Sequence, residues 1–223
     1  SQVSPSGMTL AGKHQAGVLS IGAMVAEGMR SLPTQWSFAE ESAAKHGNSV
    51  DRKNWRIVMN WHIAETRKEA RLQAKEGLLR HNNDYSVATL NPDEGTIYKS
   101  PDDAVDGVAF SENSTAVIGT PDDLIAKIKE MISITGGFGC VIGFAHDWAN
   151  RENTLKSWDL VARYVIPEIN GLLDDYRESH EFVTNNRETW VRAREAVMNK
   201  IESNERSAKI MKTQGYEGEK SKS

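Results

Sequence analysis

Three short runs hold most of the chemistry this chain can offer. Ser4-Pro5-Ser6-Gly7 sets two hydroxyls and a glycine amide ahead of Met8-Thr9-Leu10-Ala11-Gly12-Lys13-His14, a stretch that reads as a short helix. Hydroxyls and unsatisfied backbone N–H groups at the positive end of a helix suit a phosphate. The same residues also make an ordinary capped turn. Trp61-His62 closes an alternating apolar strand. Histidine exchanges protons near neutral pH, so His62 is a candidate for proton transfer, set against a plain structural hydrogen bond. Trp61 can wall an apolar pocket or pack in the core. Phe144-Ala145-His146-Asp147-Trp148 follows a later strand. Phe144 and Trp148 can shape a pocket for an apolar molecule or lie in a solvated loop. His146 and Asp147 are adjacent, so their side chains point apart and no dyad is implied.

Other chemistries lack their signatures. There is no Gly-x-Gly-x-x-Gly, no Walker loop, and no His/Cys/carboxylate cluster at metal-ligand spacing. His14, His46 and His81 fall at helix ends or in polar stretches and read as surface residues.

The elements that must position these runs alternate in type. A strand at Val18–Ile21 meets the small residues Gly22-Ala23, a loop spans 24–31, and a helix runs Thr34–His46, closed by Gly47. The next strand, Trp55–Ile63, sends Ile57, Met59 and Trp61 to one face and Val58, Asn60 and His62 to the other. Thr66 and Glu69 form a capping box for a helix reaching about Leu79. Residues 80–114 carry turn signals at Asn82-Asn83-Asp84, Asn91-Pro92-Asp93-Glu94-Gly95 and Ser100-Pro101-Asp102-Asp103. They read as an irregular excursion with one short helix near Asp102–Val108. Thr120-Pro121-Asp122-Asp123 caps a helix with an apolar stripe through Leu124, Ile125, Ile128, Met131 and Ile132, ended by Gly136-Gly137. Cys140–Phe144 is the last strand, with Cys140 expected as a buried small hydrophobe, and a helix follows over Asn153–Tyr164. Residues 174–203 read as a charged helical extension and 204–223 as a disordered tail.

Strand–helix alternation implies α/β architecture, with parallel strands covered by helices. The count suits half of a (β/α)8 barrel over residues 1–173. Barrel sites lie at the C-terminal ends of the strands. That rule selects Ser4–Gly7, Ser20–Ala23, Trp61–Ala64 and Gly143–Ala149.

Bulk composition narrows the classes further. At 223 residues, 39% hydrophobic and 26% charged, the chain can bury a sizeable core. A net charge of −4 gives no electrostatic footprint for nucleic acid. No apolar run approaches the roughly 20 residues of a membrane helix. A single cysteine excludes an intramolecular disulfide and fits a reducing compartment, so a cytoplasmic location is expected.

Several of these runs together resemble the bacterial luciferase-like flavin-dependent monooxygenases, nearest to the limonene monooxygenase type. The matched pieces are the Ser4–Gly7 loop with its helix, Trp55–Ala64 leading into the Thr66-capped helix, and Ile118-Gly119-Thr120-Pro121-Asp122. Thr135-Gly136-Gly137-Phe138-Gly139 and Asp147–Pro167, ending Ala162-Arg163-Tyr164-Val165-Ile166-Pro167, complete the set. Gln15 departs from the glycine expected before the following strand. The resemblance implies the C-terminal half of a TIM barrel, inactive alone, with its remaining flavin contacts in a missing first half. It implies FMN, reduced by a separate NAD(P)H-dependent flavin reductase, together with O2 and a small apolar substrate such as a monoterpene. It assigns Ser4 to the FMN phosphate, with Ser6 and the Gly7 amide beside it. It leaves Thr120, the generic barrel alternative, as a helix cap, and it implies a homo-oligomer. The same barrel family contains F420-dependent oxidoreductases and non-catalytic subunits, which stand as the alternatives.

Overall fold

Nine residues, Trp55–Ile63, form strand β2, and each of the other strands pairs with it. The computed structural model describes residues 4–90, 96–112 and 114–214. Among these, β1 (Val18–Ser20), β3 (Ala116–Gly119) and β4 (Cys140–Phe144) all run parallel to β2. Arg56 and Ile57 pair with both β1 and β4, so these two strands flank β2. Asn60 pairs with both β4 and β3, so β3 continues along β1's side of β2. The parallel α/β architecture is therefore as expected, but β4 sits directly against β2 instead of following β3 in a simple order. Beyond the end of β4, the Ile63 amide donates to the buried Ser157 hydroxyl at 2.9 Å, which keeps that edge of β2 satisfied.

Helices cover the sheet. One core joins Ile57, Met59 and Trp61 to Leu32 and Trp36 of α2 (Ala26–Lys45), to Leu124, Ile128 and Met131 of α5 (Pro121–Thr135), and to Val161 and Val165. A second joins Ala70, Ala74 and Leu78 of α3 (Arg67–Arg80) to Ala104 and Val105 of α4 (Pro101–Ala109), to Ile118 and to Trp148. Helix α1 (Ser6–His14) packs on α2 so tightly that a side chain on Gly12 would meet the backbone of Ala39 and Ala43. Trp55 is fully buried, stacked on Trp36 at 5.3 Å, and donates to the Ser20 hydroxyl at 2.9 Å.

Caps follow the sequence closely. Thr120 and Asp123 form a full capping box, and the Thr66 hydroxyl accepts from the Glu69 amide. Gly47, at φ 71°, closes α2 in a Schellman pattern, with Asn48 N–H on the Ala43 carbonyl at 2.8 Å.

Four expectations need correction. Helix α2 begins at Ala26 and runs through Pro33 instead of starting at Thr34. Proline forfeits one backbone bond, a cost of about 3 kcal/mol, but Leu32 and Trp36 beside it are buried, each contributing about 2–3 kcal/mol. Asn82 and Asn83 do not turn the chain. A π-helical run, His81–Leu90, continues α3, and the two amides instead bond the Thr96 and Tyr98 backbone. Cys140 is exposed, because β4 has only β2 beside it among the described residues. Residues 205–213 form helix α10, N-capped by Asn204, where disorder was expected. The turn signal at 91–95 and residues 215–223 lie outside the described residues.

The described helices divide the chain into two compact units, one ending at Gly171 and one beginning at Leu172. In the first unit α6 (Arg151–Leu160) passes through a π turn at Val161–Val165 into α7 (Ile166–Ile169). The second holds α8 (Asp174–Asn185), α9 (Arg187–Glu202) and α10, with Phe182 edge-on to Trp190 at 6.3 Å. No helix among the described residues is long and apolar enough to cross a membrane.

Gln15, where glycine was expected, takes φ 54° and ψ 34° as the C-cap of α1. A Cβ in this left-handed region costs roughly 1–2 kcal/mol, partly offset by the flexibility glycine brings to the unfolded chain. Gln15→Gly should therefore raise the unfolding free energy by up to about 1 kcal/mol, measured as a higher urea midpoint at unchanged slope.

Candidate functional site

The strand registers sort the sheet's side chains onto two faces, because paired positions in parallel strands point the same way. Ser20, Ile57 and Val141 share one face with Met59, Gly143 and Trp61. That face is the one packed under α2 and α5. Leu19, Arg56 and Cys140 share the other face with Val58, Ile142, Asn60 and Phe144. On this second face Leu19 and Phe144 are each 48% exposed, and Arg56 and Cys140 are exposed as well. The sheet therefore presents one covered face and one partly open face.

At the C-terminal end of the open face stands a cluster of rings. Asn60 is buried, donates through Nδ2 to the Thr115 carbonyl at 3.2 Å, and meets His146 Nε2 with Oδ1 at 2.9 Å. His146 stacks on Trp148 with centroids 4.5 Å apart and planes 3° from parallel. His81 approaches His146 edge-on at 4.5 Å, Phe144 lies 4.7 Å away, and Tyr85 flanks His81 at 5.5 Å. Trp148 is held from behind by α3, where a side chain on Gly77 would collide with the Trp148 backbone. The Trp148 indole N–H is buried and unpartnered among the described residues, as is that of Trp61.

Burial pushes His146 down to about 4, helped by neighbouring His81 and opposed by Asp147. Burial also lowers His81, with Asp147 again opposing. The site thus holds two neutral imidazoles near pH 7. Sequence reasoning took His81 for a surface residue and gave no role to Asn60. A buried amide between Met59 and Trp61 was the available signal, since such a group demands partners.

The other predicted residues are placed as follows. Phe144 and Trp148 come together through His146. Trp61 lies on the opposite face, its ring 5.0 Å from that of Trp158, and with Leu124, Ile128 and Val141 it lines an apolar groove of about 480 Å³. His62 is buried and bonded through Nε2 to Gln73 Oε1 at 2.9 Å; burial lowers it and the Gln73 bond partly restores it.

Ser4, Ser6 and Gly7 are exposed at the start of α1, with the two hydroxyls 2.8 Å apart. Pro5 occupies the N-cap position without a side-chain capping bond, and no acidic residue lies in the first turn. These features leave the helix start compatible with an anion. Thr120 is the opposite case. Its amide and hydroxyl both donate to Asp123, whose carboxyl is held at about 2 chiefly by Arg67. This confirms Thr120 as a cap.

The comparisons with known proteins bear on this geometry. No protein-family model matches the chain. It is 34% identical over 185 residues to the 4-hydroxyprotoasukamycin monooxygenase of Streptomyces nodosus subsp. asukaensis, covering 82% of this chain and 49% of that protein. It is 36% identical over 169 residues to the limonene 1,2-monooxygenase of Rhodococcus erythropolis, covering 76% and 42% respectively. The chain thus spans about half the length of the curated relatives it matches. Among solved structures, the oxygenating constituent of 3,6-diketocamphane monooxygenase from Pseudomonas putida, a type II Baeyer-Villiger enzyme in complex with FMN, aligns with a TM-score of 0.51. That alignment is 23% identical and covers 75% of this chain and 46% of that one. It establishes a shared fold.

His62, His81 and His146 all titrate below the ordinary 6.5 of an unfolded histidine. Between that value and about 4, the unfolded chain binds more protons than the folded one. Stability is therefore full above pH 6.5 and falls as the pH drops toward 4. Urea midpoints should decrease from pH 7 to pH 5, and the decrease should be smaller in His146→Phe.

Proposed function

Because this chain belongs to the luciferase-like monooxygenase family, we propose that it supplies the phosphate-binding helix and one wall of the substrate site of a flavin-dependent monooxygenase. The enzyme uses reduced FMN and O2 on a small apolar substrate such as a monoterpene. The observation that carries this reading is the 36% identity to limonene 1,2-monooxygenase over 169 residues, 76% of this chain. In the same reading the three adjacent strands β1, β2 and β4 are part of a (β/α)8 barrel, and the open face is its interior. A separate NAD(P)H-dependent reductase supplies the reduced flavin, and the working enzyme is a homo-oligomer.

When bound, reduced FMN supplies the electrons that activate O2 for transfer of one oxygen atom to the substrate, the other leaving as water. The residues of this chain bind and enclose. Ser4, Ser6 and the Gly7 amide hold the phosphate at the positive end of α1, where no carboxylate competes. Phe144 offers apolar surface to the substrate and excludes water from it, and Trp148, buried beneath His146, backs that wall. Trp61, behind the sheet, supports β4 by packing against Gly143. His62, committed to Gln73, holds α3 against β2. The sheet described here leaves one face open, so turnover requires further strands to enclose the pocket, in keeping with the greater length of the relatives.

The phosphate assignment separates FMN from riboflavin. By isothermal titration, the chain should bind FMN about tenfold or more tightly than riboflavin, the worth of charge-assisted bonds to a phosphate. Ser4→Ala/Ser6→Ala should remove most of that difference and leave riboflavin binding unchanged. Equal affinity for the two flavins in the unmodified protein would refute the assignment.

A further inference from the structure

Asn60 settles the chemistry of His146. Its Nδ2 donates to the Thr115 carbonyl, so the atom facing His146 Nε2 is the amide oxygen Oδ1. A carbonyl oxygen only accepts, and Nε2 must therefore carry the hydrogen. The neutral ring then keeps its lone pair on Nδ1. That atom makes no hydrogen bond among the described residues. The ring cannot readily turn, with Trp148 stacked on it, His81 edge-on to it and Phe144 beside it. Protonation at Nδ1 would place a charge on a half-buried ring stacked on Trp148 and next to His81, and burial disfavours it. The result is a fixed, neutral acceptor beside His81 and Phe144 at the C-terminal end of the open face. Exposed ring surface from Phe144 and Tyr85 lies close by.

We propose that His146 Nδ1 is a substrate-recognition site, accepting a hydrogen bond from the hydroxyl of a small cyclic molecule seated against Phe144 and Tyr85. The inference rests on the reading of this strand end as the substrate end of the enzyme. It narrows the substrate class from any apolar molecule to ring compounds that bear a hydroxyl. The same acceptor discriminates against isosteres that lack the donor, because a molecule seated there without one covers Nδ1 from water and leaves it unpaired.

Phenol and anisole test this, since they share a ring and differ in the donor. Long-range 1H–15N spectra of the histidine side chains would be recorded at pH 7 while each probe is titrated into the chain. The hydrogen of His146 should reside on Nε2, and phenol should move the Nδ1 resonance. Phenol should also bind about threefold to tenfold more tightly than anisole, and His146→Phe should abolish that preference. A His146 protonated on Nδ1, equal binding of the two probes, or no response of Nδ1 to phenol would overturn the proposal. The first readout needs no variant, so a misfolded His146→Phe would not remove the test. Titrating the same sample with FMN keeps the two claims apart. FMN binding without phenol preference defeats this inference alone, and phenol preference without FMN binding defeats only the assignment of the phosphate site to this chain.

Discussion

The structure depends on one strand having both of its edges occupied. β2 is nine residues long, and its neighbours are shorter. It therefore takes β1 and then β3 along one side, and β4 and then the Ser157 hydroxyl along the other. Every backbone group of a buried strand needs a partner. Meeting that need with short segments draws four separate stretches of chain to one line. It also fixes register, because a slip of one residue would send Trp61 to the open face and Asn60 into the apolar core.

Register in turn creates the division of labour between the two faces. The odd-numbered positions of β2, Ile57, Met59 and Trp61, are apolar and take the packing load under α2 and α5. The even-numbered positions include Asn60 and His62, each bonded to a single named partner group or pair. A polar group on a buried strand is tolerated only when it is paired. Here the pairing does more than satisfy the group. Asn60 reaches both the segment before β3 and the loop after β4, tying the strand-end loops to each other. The aromatic stack of His146 on Trp148, and the close approach of Gly77 behind it, then hold that loop against α3. The candidate site is in this sense a consequence of how β2 is completed.

Much of this was legible in the sequence where the signal is local. Thr120-Pro121 and Thr66…Glu69 announce their helices because capping is a matter of four adjacent residues. The alternation of Trp55–Ile63 announces its two faces. The general rule for barrels selected the strand ends, where the rings of Phe144, His146 and Trp148 meet. What escaped was set by distant contacts. Pro33 looked like a helix boundary, yet tertiary burial of Leu32 and Trp36 carried the helix through it. Asn82 and Asn83 looked like a turn, yet their amides are spent on the backbone of Thr96 and Tyr98. His81 looked exposed because nothing in its neighbours reveals that the chain around His146 will fold onto it. Cys140 looked buried because the edge position of β4 is a property of the sheet, not of the strand.

The central claim is that flavin comes to the C-terminal ends of the strands, with its phosphate at the start of α1. Hydrogen–deuterium exchange of the chain with and without saturating FMN tests this position most directly. The account predicts new protection at the amides of Ser6, Gly7 and Met8 and in the segment 144–148, with residues 172–213 unchanged. Protection confined to α8 and α9, or none at the start of α1 while FMN is bound, would contradict it.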